Sequence, residues 1–250
     1  MSLDIHIAAS DIAHKNGWDG HFDGWVCSPA YAWWSRQIWH IESTWPCIVD
    51  NGAWSDQNKV HQSSAHQIFG RTLKTIDLIS NEVKFAVLPD KVGDWFESVR
   101  MMDEILNDDQ LSFDIQQGTE FQRSSTHPWA VVISEGWCDK QLLDLLDRTT
   151  TRTGLTPWIF IGGQTFEFKK NSAKILEHFL PQFPVHVGKV HKLREMVHFF
   201  DAPNVYSIDT STFSRPPTAV YQKTLTQRLE QFQAWRDGDQ TVLTDWMDVV

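Results

Sequence analysis

Four carboxylates occupy positions from which they could act on one substrate: Asp50, Asp90, Glu135 and Asp209 each follow, within two residues, a short apolar run of strand-like composition. Glycines accompany them in Asp50-Asn51-Gly52-Ala53, in Ser134-Glu135-Gly136, in Gly162-Gly163 and at Gly188. A carboxylate serves as acid, base or nucleophile at an anomeric carbon and accepts from the amide and amino edge of a purine. Glycine lets a flat ligand come close to the backbone. Taken singly, each feature has a plainer reading. An Asp behind a strand commonly caps the next helix through its free amides, and a glycine pair is commonly a turn. Asp209 resists that reading, because the residues after it end in Pro216-Pro217 and open no helix. The joint occurrence of these positions, in order along the chain, is what points to a site.

Such residues converge only if the elements before them are parallel. Eight runs read as strands: Ile5–Ala9, Gly24–Cys27, Cys47–Val49, Lys84–Leu88, Trp129–Ile133, Trp158–Ile161, Val185–Val187 and Val205–Ile208. Amphipathic stretches with apolar residues three and four apart lie between the later ones, at Gly93–Leu106, Asp139–Arg148, Phe168–Leu180 and His191–Phe200. This alternation predicts an α/β fold with right-handed parallel crossovers. Eight units in 250 residues predict a single-domain (β/α)8 TIM-type barrel over residues 1–250, with its chemistry on the loops behind the strands. An open doubly wound sheet is the competing architecture. Residues 107–127 show neither period and read as an inserted loop, and residues 218–236 read as a C-terminal helix packed on the barrel.

Composition narrows the function. An apolar fraction of 41% and a charged fraction of 22% are those of a folded chain. No apolar stretch nears the ~20 residues that cross a bilayer, and Met1–Ser10 lacks the basic and apolar regions of a secretion signal, so no membrane partner is expected. Cys27, Cys47 and Cys138 are widely spaced, which fits reduced thiols in a cytoplasm and supplies neither a zinc site nor another metal site. Twenty-two basic against 32 acidic residues leave a charge of −10, so any contact with nucleic acid is local. His14, Lys15, His21, Arg36, Lys189, Lys192 and Arg215 are candidates for a local basic rim, with scattered surface charge as the alternative. Thirteen tryptophans cluster at Trp18, Trp25, Trp33, Trp34, Trp39, Trp45 and Trp54. They read as core or interface more readily than as a platform for bases, and the stretch Trp33 to Trp45 is a candidate homodimer surface.

The ordered segments resemble the tRNA-guanine transglycosylases and their phage and bacterial relatives that act on DNA. Val49-Asp50-Asn51-Gly52-Ala53-Trp54 is similar to the family's Asp-Ser-Gly-Gly-Phe segment, Glu135-Gly136 falls where a Gln-Gly pair stands, and Ile161-Gly162-Gly163 matches a Gly-Gly strand end. His186-Val187-Gly188-Lys189 with Leu193-Arg194 is similar to its Gly-Val-Gly plus helix, and Tyr206 to Arg215 aligns with the strand of the nucleophilic aspartate. The resemblance implies that Asp209 attacks the anomeric carbon and expels guanine, and that a 7-deazaguanine then takes its place. Asp50 would be the general acid/base, Asp90 would hold the purine's polar edge, and Gly162 and Gly163 would offer amides to its exocyclic oxygen. Glu135, Gly136, Gly188 and Trp54 would line the base site, and Lys189 and Arg215 would contact nucleic acid. A carboxylate of ordinary pKa, about 3.9, is ionised at neutral pH, while one sheltered against Trp54 can keep a proton. No cofactor is implied.

The departures direct the substrate. The tRNA enzymes carry a Cys-rich zinc subdomain behind the nucleophile, whereas here only 35 residues follow Arg215 and none is cysteine. Ala53 stands for a glycine and Glu135 for a glutamine, so this acceptor calls for donors from the base. These traits are those of the compact relatives that replace guanine in DNA with a 7-deazaguanine, with DNA favoured over tRNA and a bacterial or phage-infected cytoplasm as the setting. The target nucleotide would have to leave its stack. An N-glycoside hydrolase or nucleoside-level transferase on the same barrel, and a non-catalytic subunit of a transglycosylase complex, are the alternatives.

Overall fold

The structure is a computed structural model that describes residues 3–8, 22–29, 46–53, 62–79, 82–113, 127–190, 192–210, 230 and 233–234. Eight parallel strands close into a barrel in chain order: β1 (Asp4–Ala8), β2 (Gly24–Cys27), β3 (Cys47–Val49), β4 (Val83–Val87), β5 (Trp129–Ile133), β6 (Trp158–Ile161), β7 (Val185–Val187) and β8 (Val205–Thr210). Closure rests on β1 pairing with β8, in register Ile5 with Ile208 and His6 with Asp209, which removes the open-sheet alternative. Strands buried on both faces read as continuous apolar runs, and β5 (Trp-Ala-Val-Val-Ile) is buried at every position.

The period of two sorts the strand residues into two cores. Ile48, Phe85, Val87, Ala130, Val132 and Trp158 fill the barrel, with Val26 and Phe160 packed against them. Ile5, Ile7, Trp25, Val131, Ile159 and Ile208 belong to the larger outer core, where the sheet meets its helices. Trp25 is thus a core residue, whereas Trp18, Trp33, Trp34, Trp39, Trp45 and Trp54 lie outside the described residues.

Five helices are described: α1 (Ala65–Leu78), α2 (Trp95–Leu106), α3 (Asp139–Thr153), α4 (Phe166–Phe179) and α5 (Leu193–Phe200). The first was not anticipated, although Ser64 and Gln67 form a reciprocal capping box at its start. Helix α2 begins at Trp95 rather than Gly93, because Gly93 has φ 72° and Asp94 caps the helix instead. Helix α3 runs past the expected end at Arg148. The hydroxyls of Thr149, Thr150, Thr151 and Thr153 each donate to the carbonyl one turn back, keeping a β-branched run helical until Gly154 turns left-handed at φ 69°. Helix α4 starts at Phe166 with Thr165 as its cap, and α5 at Leu193. Strand β8 is longer than expected and carries Asp209 within it.

Of the expected inserted loop, residues 107–113 follow α2 as turns, and Phe113 is buried against Phe69 and Trp129 at ring distances of 5.1 and 5.4 Å. Nearly all of the expected C-terminal helix lies outside the described residues. None of the described helices is long and apolar enough to cross a membrane.

Candidate active site

The loops behind β3, β4, β5, β6 and β7, together with the end of β8, open at the same end of the barrel, which brings Asp50, Asp90, Glu135, Gly162, Gly163, Gly188, Lys189 and Asp209 to one mouth. None of the three aspartates caps a described helix. Those roles belong to Ser64, Asp94, Cys138, Thr165 and Lys192.

Asp209 is 7% exposed, on the inner face of β8. Its Oδ2 lies 3.0 Å from Nε2 of His186, and its Oδ1 accepts from the backbone N–H of Lys189 at 3.1 Å. Burial works to raise this carboxyl, yet the His186 hydrogen bond, with the amide and ammonium of Lys189, outweighs it and holds Asp209 below the ordinary range. The opposite result holds across the mouth. Asp50 is raised, first by burial and then by the charge of Asp209, against the pull of Lys189 and the amides of Gly52 and Asn51. Asp90 is raised to about 6 by burial and by Asp50, although Asn51 donates to its Oδ1 at 2.7 Å.

Asn51 is a site residue that the sequence reading passed over. Only 1% exposed, it donates also to the Leu88 carbonyl at 2.6 Å and accepts from the Ala53 amide at 2.8 Å. It thereby ties the β3 loop to the end of β4 and sets Asp90. His186 and Lys169 were passed over too. His186 is fully buried in the middle of β7, and Lys169, on α4, is 5% exposed and donates to the Lys189 carbonyl at 3.1 Å. The signal for His186 was its parity: it stands two residues before Gly188 on the same face of one strand.

Lys189 is the cation shared by the whole mouth. Burial lowers its ammonium to about 8, against the charges of Asp50, Asp209 and Asp90. Its φ of 56° is the positive value found at a non-glycine residue among the described ones, a conformation that persists where the surroundings hold it. Beside it a cavity of about 170 Å³ opens between the β6 and β7 loops, lined by Gln164, Phe166, Lys169, Lys189, Lys192 and Glu195.

The glycines have packing reasons as well. A Cβ on Gly188 would come within 2.6 Å of the Phe160 ring, and one on Gly163 would strike Phe168 and lie 3.0 Å from Oε1 of Glu135. The Gly162 amide donates to the Ile133 carbonyl at 2.9 Å, so it is spent on the sheet and not offered to a ligand. Gly136 sits in an exposed turn with φ 89°. Glu135 accepts from the Gln164 amide at 2.7 Å through Oε1, while its Oε2 is buried without a partner. Trp54 and Arg215 lie outside the described residues, as do His14, Lys15, His21 and Arg36.

No protein-family model and no curated protein matches the chain. Among solved structures it is similar to QR15, an aldolase, at 10% identity over 91% of this chain and 96% of that one, with a TM-score of 0.48. It is also similar to a 4-hydroxy-2-oxoglutarate aldolase/2-deydro-3-deoxyphosphogluconate aldolase from TTHB1, at 9% identity over 92% of each chain and a TM-score of 0.48. The fold is a (β/α)8 barrel. That statement stands on the chain's own strand pairings, and a likeness this distant carries no argument about activity.

Proposed function

We propose that this protein is a base-exchange transglycosylase that replaces guanine in DNA with a 7-deazaguanine base through a covalent aspartyl-glycosyl intermediate. The observation that carries the reading is the placing of two carboxyls at one mouth in surroundings that shift them in opposite directions. A ring N–H and an amide hold Asp209 below the ordinary carboxylate range, while Asp50 is raised by burial and by the charge of Asp209. Pairs of carboxyls driven apart in this way are how acid and nucleophile are divided in glycosyl chemistry.

In the forward step a carboxylate oxygen of Asp209 bonds to C1′ as the C1′–N9 bond breaks. The electron pair passes to N9 of guanine, which takes the proton of Asp50. The entering deazaguanine then gives its N9 proton to Asp50, bonds to C1′ and displaces Asp209, returning both carboxyls to their starting states. Asp90 and the unpartnered Oε2 of Glu135 face the need for N–H donors that a purine edge supplies. The Gly163 amide remains for the exocyclic oxygen, and Lys189 with Lys192 offers cations to the backbone on an otherwise acidic protein. The test is incubation with duplex DNA, single-stranded DNA and tRNA in the presence of labelled 7-deazaguanine. Incorporation into DNA, lost in Asp209→Ala and accompanied by a denaturation-stable adduct in the parent protein, is expected. Free-nucleoside turnover without incorporation would assign the site to hydrolysis, and absence of incorporation on every substrate would end the proposal.

A further inference from the structure

We propose that His186, backed by the Ser207 hydroxyl, is the positioning residue that holds Asp209 for attack on the sugar. The inference rests on Asp209 being the reacting carboxylate. Strands β7 and β8 are neighbours with His186 opposite Ser207, and the period of two puts His186, Ser207 and Asp209 on the barrel's inner face. His186 has no exposed surface and is walled by Phe160 at 4.9 Å and Phe85 at 5.4 Å between ring centroids. In this enclosure its two nitrogens have one partner each: Nδ1 lies 2.8 Å from the Ser207 hydroxyl, and Nε2 lies 3.0 Å from Oδ2 of Asp209.

The polarity of this chain follows from donor counting. An ionised carboxylate only accepts, so Nε2 carries the hydrogen. Burial disfavours the imidazolium and lowers the pKa of His186 against the pull of Asp209, so Nδ1 is the bare acceptor and Ser207 donates to it. Donation therefore runs from Ser207 to His186 to Asp209. With the Lys189 amide on Oδ1, each carboxylate oxygen has one fixed donor, and the plane of the group is set. A Cβ on Gly188 would lie 3.4 Å from Oδ2, so the glycine keeps that side of the carboxylate uncovered. The charged groups facing this pair are Lys189 behind β7, Lys169 on α4 and Asp50 behind β3 around Asp209, with Lys84 of β4 and His6 of β1 around His186.

Two measurements on the full chain test the role. Ring ¹⁵N spectra of the parent protein are expected to show His186 neutral with hydrogen on Nε2, and Ser207→Ala is expected to keep that tautomer while shifting the Nδ1 resonance, whose lone pair loses its donor. In base exchange, His186→Phe keeps an aromatic ring in the slot and removes the donor. Its kcat should fall about 10- to 100-fold, as for other partners that orient a reacting group. The acidic limb of its pH profile should move to higher pH, because a carboxylate without its donor protonates more readily, while KM for the deazaguanine holds. His186→Gln, which restores an N–H, should recover part of both changes. An unchanged acidic limb in His186→Phe overturns the positioning role. Should that variant fail to fold, an unchanged Nδ1 resonance and rate in Ser207→Ala overturn it. If the parent protein exchanges no base while its ¹⁵N spectrum shows the Nε2–H form, the hydrogen-bond chain is real but the functional reading fails, and the role fails with it.

Discussion

The two sides of the barrel mouth receive the same treatment from burial and end in opposite states. On the β3–β4 side, burial and the charge of Asp50 raise Asp90, and Asn51 gives it a neutral amide donor, which leaves it at about 6. On the β7–β8 side Asp209 is more enclosed, yet a ring N–H and a backbone N–H, one on each oxygen, bring it below the ordinary range. Desolvation alone would raise all three. The number and kind of donors decide which carboxyl stays charged, and the cation they share, Lys189, does not discriminate between the sides.

The sharpest way to break the comparison is to exchange the roles of the two acids. Asp209→Asn is expected to lower kcat for base exchange by about 10⁴-fold or more and to abolish the trapped adduct, as loss of a nucleophile does. Asp50→Asn is expected to cost about 10²- to 10⁴-fold, within the range of general acid–base catalysis, while the adduct still forms with a good leaving group. Equal losses in both, with no adduct in either, would contradict the division of labour.

Smaller changes sharpen the comparison. Gly188→Ala places a methyl group against the Phe160 ring inside the barrel, and an overpacked site of this kind costs about 1–3 kcal/mol, read as a lower denaturant midpoint. Asn51→Ala removes the donor that opposes the rise of Asp90, so the pH below which KM for the base climbs is expected to move above 6. Asp90→Asn should bind the base more weakly, yet melt higher than the parent above pH 6. There a folded-state carboxyl raised from its unfolded value is charged at a cost that the amide avoids.

The smallest effect lies on the outer wall and serves as a control for the mouth. His66 of α1 sits 2.8 Å from both Glu104 and Asp108, and its pKa is raised by those two hydrogen bonds, Asp108 first. Its folded pKa exceeds the unfolded one, so its contribution is present below about pH 6.5 and is lost as pH rises through the folded value. His66→Ala should lower the melting temperature slightly at pH 5.5, hardly at all at pH 8.5, and leave the pH profile of catalysis where it was.

Strands such as Trp129–Ile133 and Gly24–Cys27 were legible because each is a short apolar run bounded by polar turns, and parallel strands covered on both faces leave no other pattern. The acids were legible because the loop behind a barrel strand faces the common mouth. Helix α1 was less so, with Gly70 in its interior and no leucine repeat, although its capping box was in plain view. The end of α3 was hidden by threonines, whose hydroxyls satisfy carbonyls only once the helix exists.

The amino-acid order alone determined the number of strands, their parallel course and the acids at their ends, since burial patterns and turn residues are local and repeat along the chain. Which of those acids keeps its charge was settled in three dimensions. The donors to Asp209 come from a neighbouring strand about twenty residues away, the donor to Asp90 comes from the preceding strand's loop, and a pKa responds to whatever the fold has brought within hydrogen-bond reach.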